Sequence, residues 1–269
     1  FRIHTSEHVL AAITGLEIDN CFICLDGPEV PIMDGSSKFF INALEEAKIV
    51  EQNVLREEFF PSETISYECK DSGSKISIIP DDNYKVNTIV DYKTKVLGEQ
   101  EASINHISEF KEEISSARTF SFLHELETLL ENGLIKGGDL NNAIVYVDKP
   151  LAESNMEILK KAFKKNSISV TPNGILDNLN LHYPNEAARH KLLDVIGDLA
   201  LIGMKIRGKV IAQKPGHSIN AKFAKKISEV IKSDRKNTLP KIDFDKKPLM
   251  DSNQIMKVIP HRPPFLLID

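Results

Sequence analysis

With 269 residues against a typical domain of about 100–200, the chain predicts two domains or one large domain with additions. Hydrophobic residues at 41% and charged residues at 27% exclude wholesale disorder and allow a sizeable core, as in a soluble globular protein. A net charge of −5 excludes a general nucleic-acid binder, whose phosphate contacts demand a basic surface.

No stretch nears the roughly 20 uninterrupted apolar residues that a membrane span needs. Phe1 opens the chain without an initiator Met, so the start reads as truncated and leaves a targeting segment open. Cys21, Cys24 and Cys69 are too few and too odd in number for a disulfide framework and suit a reducing cytoplasm, the expected location. Cys21 and Cys24 form a CxxC, but their segment alternates like a strand and no second Cys pair follows, so buried strand thiols are expected.

In chain order, Thr5 to Ile13 reads as a helix with Thr5 or Ser6 as cap and Gly15 as stop. Asp19 to Asp26 reads as a strand, 27–35 as a Pro/Gly-punctuated loop and Phe39 to Ala47 as a helix. Strands are predicted at Thr64 to Glu68, Lys75 to Ile79 and Asn87 to Tyr92. Helices recur at Ile107 to Ser115, Leu123 to Asn132, Ser154 to Lys164 and Glu186 to Gly203, with strands at Ala143 to Val147 and Lys209 to Gln213. Basic runs around Lys160 and Lys225 read as solvated helix faces. The separate runs of strands and helices indicate an α+β fold. Ser233 to Pro248 reads as a linker, and the chain ends within an apparent strand.

The sharpest chemical signal lies in the helix from Glu186. His190, Asp194 and Asp198 recur at i, i+4 and i+8 and so share one face, while Leu192, Leu193, Val195, Ile196 and Leu199 are core-like. Surface hydrogen bonding and a buried site both fit that stripe. Glu7 and His8 open an otherwise apolar helix; a ligand beside a base suits a hydrolytic metal site, and an acid that favours the helix dipole explains Glu7 equally. His217 occupies a glycine-bearing turn between strand and helix, where catalytic residues often project. His4, His106, His124 and His182 read as structural or surface residues.

These pieces occur in one order that resembles a known family. They are Thr5–Ala12 (TSEHVLAA), Asp19-Asn20, Glu29–Ser36 (EVPIMDGS), Ala117–Phe120 (ARTF), Gly133–Gly138 (GLIKGG), Arg189–Asp198 (RHKLLDVIGD) and Gly216-His217. Together they resemble the bacterial UDP-3-O-acyl-N-acetylglucosamine deacetylases, zinc amidases of lipid A synthesis, over roughly residues 1–230. The resemblance implies a two-domain α+β fold of layered sheets with helices packed between them. It divides the chain into domain I at 1–59, truncated at its start, and domain II at 60–232, with a βαβ acyl-chain insert at about 121–148. A linker at 233–250 follows.

The resemblance further implies that His8, His190 and Asp194 hold Zn²⁺, with Glu7 as general base. His217, held protonated by Asp198, would pass a proton to the leaving amine, and Thr119 would hydrogen-bond the oxyanion. Lys191 and Phe120 would contact the UDP-linked acylated glucosamine. Its lipid character implies proximity to a membrane surface without a span. A non-catalytic zinc-binding or scaffold relative is the alternative.

Two departures stand out. The family's first domain begins well upstream of its Glu-His pair, so strands that pair with the first helix are expected to be missing. Residues 154–184 are longer and richer in Lys and Asn than the family leads one to expect, and no role is assigned to them. Finally, residues 251–269, ending in PHRPPFLLID, resemble only the start of a β-hydroxyacyl-acyl carrier protein dehydratase, a hot-dog fold. His261 is therefore given no catalytic role, no dehydration is expected of this chain, and oligomerisation is expected only through the absent remainder.

Overall fold

The computed structural model describes residues 2–125, 142–148, 157, 160, 166–176, 179–238 and 249–262. Two compact units divide the chain, Phe1–Ile231 and Lys232–Asp269. The first unit opens with helices α1 (Glu7–Gly15) and α2 (Lys38–Glu46), then strands β1 (Glu58–Phe59), β2 (Ile65–Cys69), β3 (Ser74–Ile79), β4 (Tyr84–Asp91) and β5 (Glu99–Ile104). A 3₁₀ turn at Ile107–Glu109 leads into α3 (Phe110–Glu113), followed by β6 (Phe120–Phe122), β7 (Ile144–Tyr146) and α4 (Glu186–Leu199). Strands β8 (Lys205–Ile206) and β9 (Gly208–Gln213) precede the long helix α5 (His217–Thr238). Mixed α+β architecture is thus observed, and among the described residues no helix is long and apolar enough to cross a membrane.

The main sheet runs β2–β3–β9–β4–β5, antiparallel except where β9 lies parallel to β4. Period-two burial turns Ile76, Ile78, Val86, Val90, Val210 and Ala212 to one face. Helix α4 covers that face at β4 and β5, and α1 packs on α4 in turn. Twelve of the 14 residues of α4 are buried, so its polar stripe meets protein rather than bulk water. Leu192, Leu193 and Ile196 are fully buried there. At about 1.5–3 kcal/mol each, such residues are what hold α4 in place. A smaller core of Phe122, Ile144, Tyr146, Ile175 and Ala187 gathers round the parallel pair β6–β7.

Several local expectations change. Residues 18–25 form no strand, Cys21 and Cys24 are exposed, and Phe22 lies open to solvent. Alternation supplies a face but no partner, and among the described residues no strand offers these residues a ladder. The α1 cap makes no side-chain hydrogen bond; the Thr5 hydroxyl instead donates to Glu29 at 2.8 Å, and the helix gives way at Leu16 rather than at Gly15. The helix expected at 107–115 splits into the 3₁₀ turn and α3, and that from Glu186 becomes 3₁₀ at Ala200–Ile202. Strand β5 and the short strands β1, β6 and β8 carry too little alternation of their own to be read from the sequence.

The expected linker starts inside α5, which runs to Thr238. In the second unit, α6 (Ser252–Val258) begins at a capping box, with Asp251 accepting from Gln254 N at 2.8 Å. The expected helices at 126–132 and most of 154–164, the acyl-chain lining from Leu126 to Ile135 and the tail beyond 262 lie outside the described residues.

Candidate metal centre

Helix α1 presents His8 to α4, which carries His190 and Asp194 one turn apart. One ligand atom from each of the three, all buried, falls within 4.8 Å of the others. The two imidazoles meet edge to face, 5.1 Å between centroids, and His190 Nε2 lies 3.4 Å from Asp194 Oδ1. The other nitrogen, His190 Nδ1, is 3.0 Å from the Ala117 carbonyl. That carbonyl can only accept, so Nδ1 carries the proton and Nε2 keeps its lone pair.

Two contacts fix α1, one to the start of α2 and one to α4. Ser37 Oγ donates to the His8 carbonyl at 2.8 Å. Gly197 lies against the Glu7 backbone, where an added Cβ would stand 2.2 Å from the Glu7 carbonyl oxygen. We therefore expect Gly197→Ala to force the two helices apart and cost about 1–3 kcal/mol, read as a lowered thermal midpoint. An unchanged midpoint would show that α1 can give way freely.

Electrostatics favour a metal-ready set. Burial, reinforced by His190, pushes His8 down to about 4, against the pull of Asp194 and Glu7. Burial likewise lowers His190, so both imidazoles are neutral near neutral pH. Burial alone would raise Asp194, but Lys191, His190 and His217 outweigh it and hold the carboxyl well below its usual range. His8 Nδ1 and Asp194 Oδ1 are buried without a hydrogen-bond partner. Leaving such atoms orphaned costs roughly 1–3 kcal/mol apiece, which a cation would recover. Two imidazoles and one carboxylate match the donor set of a three-ligand catalytic zinc site, so the residues fit that metal.

The remaining candidates gather round this cluster. Lys191 Nζ sits 2.8 Å from Asp194 Oδ2 and 5.5 Å from the Phe120 ring centroid. The Phe120 ring is 6.4 Å from that of His190. Burial works against the Lys191 charge, yet Asp194 overrides it and raises the ammonium above its ordinary value.

Thr119, beside Phe120, is held from both sides: its N–H donates to Gly35 O at 2.7 Å and its carbonyl accepts from Ile144 N at 2.8 Å. Gly35 can lie there because it has φ 81° and no Cβ, which would meet Asn142 O at 2.1 Å. Glu7 is half-buried at the first position of α1, next to His8.

His217 arrives from β9 through a tight turn. Lys214 adopts φ 50°, held by its N–H on Ile89 O at 2.7 Å and by its ammonium 3.3 Å from Asp91. As the first residue of α5, His217 sets Nδ1 2.9 Å from Asp198 Oδ2 and Nε2 4.0 Å from Asp194 Oδ2. The hydrogen bond to Asp198 raises its pKa to about 9 against partial burial, with Asp194 adding to the rise. The imidazole is therefore protonated near neutral pH.

Sequence reading overlooked Asn220, which is fully buried and donates Nδ2 to Asp198 Oδ2 at 2.8 Å. Its place three residues after His217, on the same helix face, was a usable signal.

The sequence matches the family described as LpxC, UDP-3-O-acyl N-acetylglycosamine deacetylase, over residues 1–158 and 151–229. The chain belongs to this family. The bifunctional enzyme LpxC/FabZ of Porphyromonas gingivalis is 43% identical over 267 residues, covering 99% of this chain and 58% of that protein. Its counterpart in Bacteroides thetaiotaomicron is 40% identical over 268 residues, 100% of this chain and again 58% of the relative. A UDP-3-O-acyl-N-acetylglucosamine deacetylase of Nitratidesulfovibrio vulgaris is 37% identical over 227 residues, 84% of this chain and 65% of the relative. The chain thus spans less than two thirds of the length of each.

Proposed function

We propose that this chain hydrolyses the N-acetyl group of UDP-3-O-(3-hydroxyacyl)-N-acetylglucosamine and releases acetate, the committed step of lipid A biosynthesis. The observation that carries the reading is the buried cluster of His8, His190 and Asp194, whose orphaned Nδ1 and Oδ1 call for a cation. Zn²⁺ bound there would polarise the amide carbonyl and acidify a water molecule to a pKa of about 7.

The chain's own residues then manage protons and charge. Glu7 collects the proton of the attacking water, and the protonated imidazole of His217 delivers one to the leaving amine. Asp198 keeps that imidazole charged and turned, so it faces the negative charge as it develops. Thr119 contributes a hydroxyl hydrogen bond to the oxyanion. Lys191 and Phe120 contact the polar part of the substrate and its uridine-linked head, and their stacking on each other supports one shared contact surface.

Domain I then spans 1–59 and domain II 60–232 with the insert at about 121–148, followed by a linker at 233–250, whose first residues prolong α5, and a dehydratase start at 251–269. The parallel pairing of β6 with β7 supports a βαβ insert, since parallel neighbours need a crossover. The names of the Porphyromonas and Bacteroides relatives support a longer, bifunctional parent with a hot-dog dehydratase, through which it would oligomerise. A cytoplasmic location, without nucleic acid as partner, completes the reading.

The test is acetate release from the UDP-linked substrate by the zinc-loaded chain. Release above the uncatalysed rate supports the enzyme, and zinc binding without release favours the scaffold alternative. Within an active chain, Thr119→Val should lower kcat about 10- to 100-fold, the worth of one hydrogen bond to a charged oxygen. A loss confined to KM would remove Thr119 from the oxyanion.

A further inference from the structure

Arg118 and Glu186 form the most deeply buried Arg–carboxylate pair among the described residues. Glu186, fully buried, accepts from Arg118 Nε at 2.8 Å and from the Arg118 backbone N–H at 3.1 Å, both on Oε1. Its Oε2 accepts from Arg118 Nη2 at 3.2 Å and from His182 N at 2.6 Å. Arg118 Nη2 also donates to Asn180 O at 2.8 Å. A buried ion pair is seldom the most stabilising choice, because apolar residues of similar volume often match or exceed it. What apolar residues cannot do is hold a peptide group in a set orientation.

The group held here belongs to the metal centre. The N–H of Arg118 and the carbonyl of Ala117 are two ends of one planar peptide. The N–H is gripped by Glu186, and the carbonyl accepts from His190 Nδ1 at 3.0 Å. Glu186 and His190 lie one turn apart on α4, so a single helix face clamps that peptide at both ends. Rotation of the peptide would break both bonds together.

We propose that Glu186, paired with Arg118, is a positioning residue: it pins the 117–118 peptide so that His190 is locked as the Nδ1–H tautomer with Nε2 free for the metal. The metal part rests on the reading above; the tautomer part stands without it. Two variants separate positioning from plain stability. Arg118→Met/Glu186→Leu removes both charges at similar volume, and Glu186→Gln keeps the shape should the double variant fail to fold.

In the metal-free folded chain, ¹⁵N spectra of the His190 ring should show a single Nδ1–H tautomer for the parent and a mixture for the variants. Zinc dissociation constants, measured by chelator competition, should rise about 10- to 100-fold, as when the partner of a ligating imidazole is lost. Folded variants with an unchanged His190 tautomer and zinc affinity within about threefold of the parent would overturn the proposal. A parent whose His190 resonances ignore added zinc would instead overturn the metal reading, while the tautomer comparison still decides the pinning.

Discussion

Replacement of His190 by alanine should abolish tight zinc binding and with it acetate release. The residue supplies one of three protein donors, and the remaining imidazole and carboxylate make an incomplete zinc site. The loss in affinity should exceed the roughly 100-fold seen when only a ligand's hydrogen-bond partner is removed. Loss of the metal's contribution to the transition state, several kcal/mol, corresponds to a fall of about 1000-fold or more in kcat/KM.

Two measurements check this. Metal analysis after gel filtration should find the parent loaded and the variant nearly empty. Zinc at about 100 times the parent's dissociation constant should stabilise the parent by roughly 2.7 kcal/mol and leave the variant's melting unchanged. Chelation should silence the parent, and added zinc should restore it. A variant that holds zinc as the parent does would place the metal elsewhere.

The second large effect concerns proton transfer. Glu7→Ala and His217→Ala should each lower kcat by about 10²- to 10⁴-fold while zinc content stays unchanged, because neither residue is a ligand in this reading. If zinc is retained and acetate release by both variants is unslowed, the proposed roles are wrong. The pH dependence carries a definite sign. The folded pKa of His217 is raised from 6.5 to about 9, so the protonated, proton-donating form persists to about pH 9 and activity falls as pH rises through that value.

The same shift stabilises the fold fully below about pH 6.5, with the contribution fading as pH climbs through about 9. Since 53% of the His217 side chain is exposed, this contribution to stability is a small one. In the metal-free chain, NMR titration should place the His217 pKa near 9, and Asp198→Asn should bring it back toward 6.5. A titration near 6.5 in the parent would remove Asp198 as the group that keeps the imidazole charged.

Local patterning made some features legible from the sequence and left others dark. The stripe of His190, Asp194 and Asp198 depends only on helical period, and the helix forms where that period predicts. Strands β2, β3, β4 and β9 were legible for the same reason, since alternation is written within each strand. The segment around Cys21 and Cys24 carries a similar alternation and stays exposed without a ladder, because a strand also needs a neighbour. Helix α5 continues through the polar residues from Ser233 to Thr238, because a polar composition suits a helix as well as an extended segment.

Spacing and family resemblance together single out His8, His190, Asp194 and their companions in the sequence itself. Only the tertiary structure decided that the cluster is buried, that His8 Nδ1 and Asp194 Oδ1 lack partners and that His190 is oriented by the Ala117 carbonyl. It also decided that β9 returns between β3 and β4, setting His217 at the head of α5 against Asp198. Residue types and their periods are properties of a chain segment. Burial, tautomer and charge state arise from contacts between segments far apart in sequence, and those exist only once α1, α4 and the sheet have packed.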